Sequence, residues 1–253
     1  MTLDFTITVT LGYPMSTALR SPQIKPALGI GSVRQRALRE SVFEMLLSAI
    51  VRGELRVGDW LKHQQLAESL EVSATPLREA LHDLFSYGIV DIQHNCGAMV
   101  RPFGPAQLYE LFYVRALLEA DATRLACSRL DGGALKEIKK QTNDLLAGDR
   151  DPGNWEAKVV ACDDNLHRLI ADGCGNQRLK EEIFRYRSLL NCIRRTVADH
   201  HYPFRQALLE HLAIIEALCR QLPEEAAKGM TDHILSAAKI CGNVMFPKTK
   251  AGL

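Results

Sequence analysis

Between Leu66 and Val90 the chain reads LAESLEVSATPLREALHDLFSYGIV, and this stretch constrains everything around it. Two short apolar-periodic segments flank a Ser-x-Thr-Pro step, and the second runs into a turn and an apolar pair. Leu66, Ala67, Leu70 and Val72 are spaced to pack against Leu77, Ala80, Leu81 and Leu84. Ser73 is placed to cap the second helix through its hydroxyl. Pro76 is tolerated in a first turn, because its missing N–H would have had no partner there. Ala74, Thr75 and Arg78 then remain at the exposed N-terminal end of the second helix. A helix-turn-helix offers those positions to base edges in a major groove, so the stretch predicts contact with duplex DNA.

Charge tempers that expectation. Residues 34–103 carry eight Lys/Arg against nine Asp/Glu, a net of −1, and the whole chain carries +1. Affinity for DNA therefore has to come from a local patch and not from a global basic field. The 253 residues allow one large domain or two ordinary ones. No apolar run reaches the roughly 20 residues of a membrane helix, and no secretory pattern opens the chain. Seven cysteines are dispersed with no C-x-x-C pair, which points to reduced thiols and a cytoplasmic protein.

In chain order, residues 1–33 are punctuated by Gly12, Pro14, Pro22, Pro26, Gly29 and Gly31, and are expected to form a flexible extension. Regular structure is expected from about Arg36, where Leu38, Val42, Met45, Leu46, Ile50 and Val51 recur at helical spacing until Gly53. After Val90, DIQHNCGAMVRP reads as two short strands around Asn95-Cys96-Gly97, the wing of a winged helix, with His94 and Asn95 at its tip. A short Pro-Phe-Gly-Pro linker follows. From Ala106 onward six helical segments are expected, near 106–129, 132–147, 153–172, 176–198, 204–221 and 223–245, separated by Gly- or Pro-bearing breaks. With short connections and no strand signal, they predict an antiparallel six-helix bundle. The chain thus divides into an extension (1–33), a winged helix-turn-helix domain (34–103) and an all-helical domain (104–253), a mainly α fold.

The bundle carries polar groups where apolar ones belong. Asp163 and His167 lie four apart on the face of Val159, Leu166 and Ile170. His211 interrupts the stripe Phe204, Leu208, Ile215, Leu218, and His233 the stripe Ala226, Met230, Ala237, Ile240. A lone histidine on such a stripe is ordinarily a core residue satisfied by a neighbour. Three histidines and an aspartate turned inward from three helices are harder to satisfy that way, since each would cost several kcal/mol buried alone. A divalent cation answers the problem, and imidazole with carboxylate suits Zn, Ni or Mn, among which the sequence does not choose. Cys162 faces away from Asp163 by helical geometry, so a thiolate ligand is not expected.

Residues 36–101 resemble the N-terminal domain of GntR-family bacterial transcription regulators, through AIVRGEL, VGDWL, LAESLEVSATPLREAL and YGIVDIQHNCGAMV. The segment LYELFYVRALLEADATRLA resembles the opening of the FCD effector-binding domain of the FadR-type subfamily. The resemblance implies DNA contacts from Ser73, Thr75 and Arg78, with His94 and Asn95 at the wing. Family members commonly carry Arg directly after that Ser, whereas this chain has Ala74, which removes a guanine contact worth roughly 1–3 kcal/mol of discrimination. The FCD pattern places its D-x-x-x-H step on Asp163 and His167, its E-H step on Glu210-His211, and its last-helix histidine on His233. It further implies a homodimer on a palindromic operator and a small organic acid held at the metal. Arg115 could fork onto that carboxylate, or it could be an interhelical ion-pair residue. Arg187, Asn191, Arg194 and Arg195 are further candidates. A ligand-responsive repressor is the leading expectation. The alternatives are a metalloenzyme acting on a small organic acid, since such a site could activate water, and a DNA-binding protein with a purely structural metal.

Overall fold

The computed structural model describes residues 30–93, 97–148, 154–197 and 203–246. The predicted wing-tip residues His94 and Asn95, and the side chain of Arg194, lie outside these descriptions. Helix α1 spans Ile30–Val51, so it begins six residues ahead of Arg36 and takes in the end of the segment expected to be an extension. Gly31 falls in its first turn, where N–H groups have no intrahelical acceptor to lose. A short strand β1 (Trp60–Leu61) leads into α2 (His63–Ser69) and α3 (Ala74–Ser86), and a hairpin follows in β2 (Val90–Gln93) and β3 (Gly97–Val100). The strands form an antiparallel sheet in the order β1-β3-β2, with Trp60 opposite Met99 and Val90 opposite Val100. Three helices and a three-stranded wing make the expected winged helix.

Its core is the one the opening stretch encodes. Leu77, Ala80, Leu81 and Leu84 on α3 are fully buried, with Leu46 and Leu47 of α1 in the same core and Leu66, Ala67, Leu70 and Val72 packed on it. Ser73 occupies the N-cap position of α3 with extended backbone, but its hydroxyl makes no capping bond. The helix start instead rests on Pro76 in its first turn and on burial of the Leu77 face. Ser73, Ala74, Thr75 and Arg78 are all exposed at that end.

Among the described residues, the remainder is six helices: α4 (Pro105–Ala126), α5 (Gly132–Leu146), α6 (Trp155–Gly173), α7 (Gln177–Val197), α8 (Phe204–Cys219) and α9 (Pro223–Met245). They follow the sequence expectation to within a few residues, ending at Gly- or Pro-marked breaks as the chain chemistry requires. Helix α4 packs chiefly on α9, and α8 on both α9 and α5, so α4, α6, α8 and α9 enclose the centre. Helix α7 lies across α4 and α6 on one side and meets α1 of the winged helix on the other. No helix among the described residues is long and apolar enough to cross a membrane.

One glycine fixes the wing. Gly97 has φ +109°, and a Cβ there would come 2.6 Å from the Leu61 carbonyl oxygen of β1. Both the backbone conformation and the contact exclude a side chain. Gly97→Ala is expected to destabilise the winged helix by about 1–3 kcal/mol, read as a lowered midpoint in urea unfolding followed by circular dichroism.

Candidate metal centre

The four residues singled out by sequence meet at the centre of the bundle. Asp163 and His167 project from α6, His211 from α8 and His233 from α9, all buried. One candidate ligand atom from each lies within 4.8 Å of all the others. Asp163 Oδ1 is 3.4 Å from His211 Nε2, 3.7 Å from His167 Nε2 and 3.9 Å from His233 Nε2. The Nε2 atoms of His211 and His233 are 3.2 Å apart. Local sequence permits this closeness: Gly229, one turn before His233, sits where a Cβ would press to 3.1 Å of Ile214 on α8.

The outer ring nitrogens decide which way the imidazoles face. His167 Nδ1 bonds Glu119 Oε2 of α4, and His233 Nδ1 bonds Glu210 Oε2 at 2.8 Å. A carboxylate only accepts, so each Nδ1 carries the hydrogen and each Nε2 turns a lone pair inward. Carboxylate–histidine pairs of this kind orient metal-ligating imidazoles. His167 Nε2 is buried with no hydrogen-bond partner, and so is His211 Nδ1. Buried polar atoms are nearly always satisfied, so an inward lone pair facing two more imidazoles and a carboxylate is the chemistry of a cation site. The donor set suits a divalent ion of the zinc, nickel or manganese type.

Electrostatics around the cluster keep two of the imidazoles, His167 and His233, in ligating form. Burial drives the His167 imidazole down to about 3, with Arg187 acting in the same sense against Glu119 and Asp163. Burial and the neighbouring His211 likewise lower His233. For Glu119 burial opposes ionisation, but Arg115, His167 and Arg187 outweigh it and hold the carboxyl well below the usual carboxylate range. The same balance, with His233 and Gln206 as its partners, lowers Glu210. Neutral imidazoles and ionised carboxylates at neutral pH are what metal binding requires.

The other sequence candidates divide. Arg115 commits its Nε to Glu119, four residues on in α4, and its side chain also lines a cavity beside the cluster. Asn191 lines the same cavity and donates to Asp164 Oδ1 at 3.3 Å. Arg187, a minor candidate by sequence, is buried and donates through Nη2 to Asp163 Oδ2 at 3.1 Å and to Asp164. Cys162 faces away, 3.5 Å from the Thr142 hydroxyl of α5. The residue that sequence reasoning missed is Glu119. Its signal was available: an Arg/Glu pair four apart inside the apolar run Leu108, Phe112, Ala116, Ala122 of α4. The cavity itself, closed by Phe112, Leu190, Ala237 and Cys241, holds about 20 Å³, room for little more than a water.

Comparison with known proteins agrees with this architecture. Residues 38–100 match the model of bacterial regulatory proteins of the gntR family, and residues 110–236 match the FCD domain. The chain is 30% identical over 179 residues to the Nta operon transcriptional regulator of Aminobacter aminovorans, covering 71% of this chain and 82% of that one. It is 23% identical over 198 residues to the HTH-type transcriptional repressor RspR of Escherichia coli K12, covering 78% and 86%. Among solved structures, E. coli McbR/YncC superposes with a TM-score of 0.56 at 23% identity, over 81% of this chain and 96% of that one. The Nta operon protein and RspR are transcription regulators, which speaks against the metalloenzyme alternative. The chain belongs to the GntR family, as a DNA-binding transcription regulator whose helical half is an FCD domain.

Proposed function

We propose that this regulator is a homodimeric repressor whose bundle holds a divalent metal and, against it, a small organic acid that controls operator binding. The observation that carries the reading is the buried His167 Nε2, which has no hydrogen-bond partner and faces Asp163, His211 and His233. A cation there would supply positive charge against which a carboxylate can be held. Arg115 and Asn191, which line the cavity, would bind the remainder of the acid. The small free volume restricts the ligand to a compact acid whose entry displaces a side chain of the wall. The repressor sense follows that of the relative RspR, a transcriptional repressor.

In this reading the chain works as two units, a winged helix at 34–103 and a bundle at 104–253. Ser73, Thr75 and Arg78, exposed at the start of α3, contact the operator, and His94 and Asn95 contact it from the wing. The net charge of −1 in the DNA-binding unit leaves one copy with weak affinity, so two copies on a palindrome are required. A surface for the second copy is available on α4. Tyr109, Tyr113 and Leu117 follow at four-residue spacing and are 46%, 48% and 56% exposed, with the two tyrosine rings stacked 6.3 Å apart. Such a contiguous apolar stripe is typical of an interface.

Three outcomes test this reading. His211→Ala removes a donor without stranding an acid, since its outer nitrogen has no partner; it should lower zinc affinity at least 100-fold in chelator competition and abolish any change of operator affinity by small acids. An unchanged acid response in that variant would leave the metal a structural role only. Glu119→Gln should weaken zinc binding by about 10–100-fold while the bundle stays folded. Leu117→Arg should shift the protein from dimer to monomer in sedimentation and weaken operator binding in parallel.

A further inference from the structure

Helix α7 touches both the buried cluster and the recognition helix. On its inward face Arg187 donates to Asp163 Oδ2 and to Asp164. Two residues earlier, the main-chain carbonyl of Arg185 accepts a hydrogen bond from the Tyr87 hydroxyl at 2.8 Å. The Arg185 guanidinium stands 5.1 Å over the Tyr87 ring, and Tyr186 meets the same ring edge-on at 5.9 Å. From the winged-helix side, Phe43 of α1 packs on that ring at 6.1 Å. Tyr87 is the C-cap residue of α3, and its own N–H closes the last turn onto Asp83.

We propose that α7 is the coupling element between the buried cluster and the DNA-reading helix, with Arg187 and Tyr87 as its two points of attachment. The inference deepens the metal reading above and rests on it. Asp163 has one oxygen toward the three imidazoles and the other on Arg187. A cation held by the first oxygen fixes the second, and with it Arg187 and the middle of α7. Helix α7 also supplies Leu190 and Asn191 to the wall of a cavity of about 20 Å³, so it is one of the elements that a ligand larger than water would press on. Because Tyr87 grips a main-chain carbonyl, it follows the helix itself and not a rotamer. A helix that moves must carry the end of α3 with it or break that bond. Tyr87 and Arg187 are positioning residues in this scheme. Neither is assigned a base contact.

The test is hydrogen exchange on the full chain, stripped with chelator and then saturated with zinc, with zinc stoichiometry measured for each protein. In the wild type zinc should slow exchange about fivefold or more, the lower end of ordinary coupling, over both 183–190 and 84–89. Tyr87→Phe keeps the ring and loses only the hydroxyl; zinc should then protect 183–190 but not 84–89. Arg187→Met should take up zinc at saturation and show neither effect. Unchanged exchange over 84–89 in zinc-loaded wild type would overturn the proposal, as would full protection of 84–89 in Tyr87→Phe. The Tyr87→Phe comparison decides the matter if Arg187→Met fails to fold. A folded wild type that takes up no zinc would overturn the metal reading itself.

Discussion

The bundle depends on one buried carboxylate with two obligations. Asp163 sits among three imidazoles through Oδ1 and is tied to Arg187 through Oδ2. A charge in an apolar interior is tolerable only when paired and hydrogen-bonded, because desolvation otherwise costs several kcal/mol. Around it the pairing continues outward. Arg115 meets Glu119, Glu119 meets His167, and Glu210 meets His233. Five of the six bundle helices are joined through this network. The polar centre therefore sets how the helices are registered on one another, as an apolar centre of the same volume would not.

Much of this was legible in the sequence, and the boundary of legibility has a physical cause. Asp163 and His167 announce themselves because helical spacing alone puts them on one face, with apolar neighbours that fix which face is inward. His211 and His233 are legible for the same reason, each interrupting a stripe. That the four meet is a property of helix packing, which periodicity does not encode; here Gly229 lets α9 approach α8. Arg115 and Glu119 form a pair that, on most helices, is a surface ion pair, and only the burial of α4 between α9 and α6 gives it another meaning. Ser73 shows the opposite failure. The residue type was right for a capping hydroxyl, the backbone took the cap conformation, and the bond was not made. Propensity ranks residues for a position without enforcing the contact.

The DNA-binding half obeys a different economy. Its core is drawn from its own residues: Leu47, Leu77, Leu81, Leu84 and Ile89 are fully buried. What it lacks is charge. Arg39 is spent on Asp83, and Arg52 on Glu54, so part of its basic complement is neutralised within the domain. A reader with few free cations gains most from having its partner copy held at a fixed distance, since the second half-site then binds at high effective concentration. The exposed stripe on α4 begins four residues into that helix, and α4 itself starts five residues after β3 ends. A dimer contact at that stripe would therefore set the spacing of the two wings with little slack between.

That short tether bears on what a ligand can do. A bound acid can shift the regulator between states only by the difference in its affinity for them. In a loosely packed site a ligand fits both states and the difference vanishes. Here the cavity beside Asp163 and His233 admits little beyond a water, and its walls are Phe112 and Arg115 of α4, Leu190 and Asn191 of α7, and Ala237 and Cys241 of α9. Close-packed walls do not deform continuously; they repack or stay. Any acid that enters would therefore be bound by a rearranged wall, and two of the four helices that line the cavity lead directly to the DNA-binding half. Helix α4 leads there through the chain and α7 through Tyr87. Tight packing at the site is thus the condition under which a bound ligand's energy would become sensitive to the position of the recognition helices.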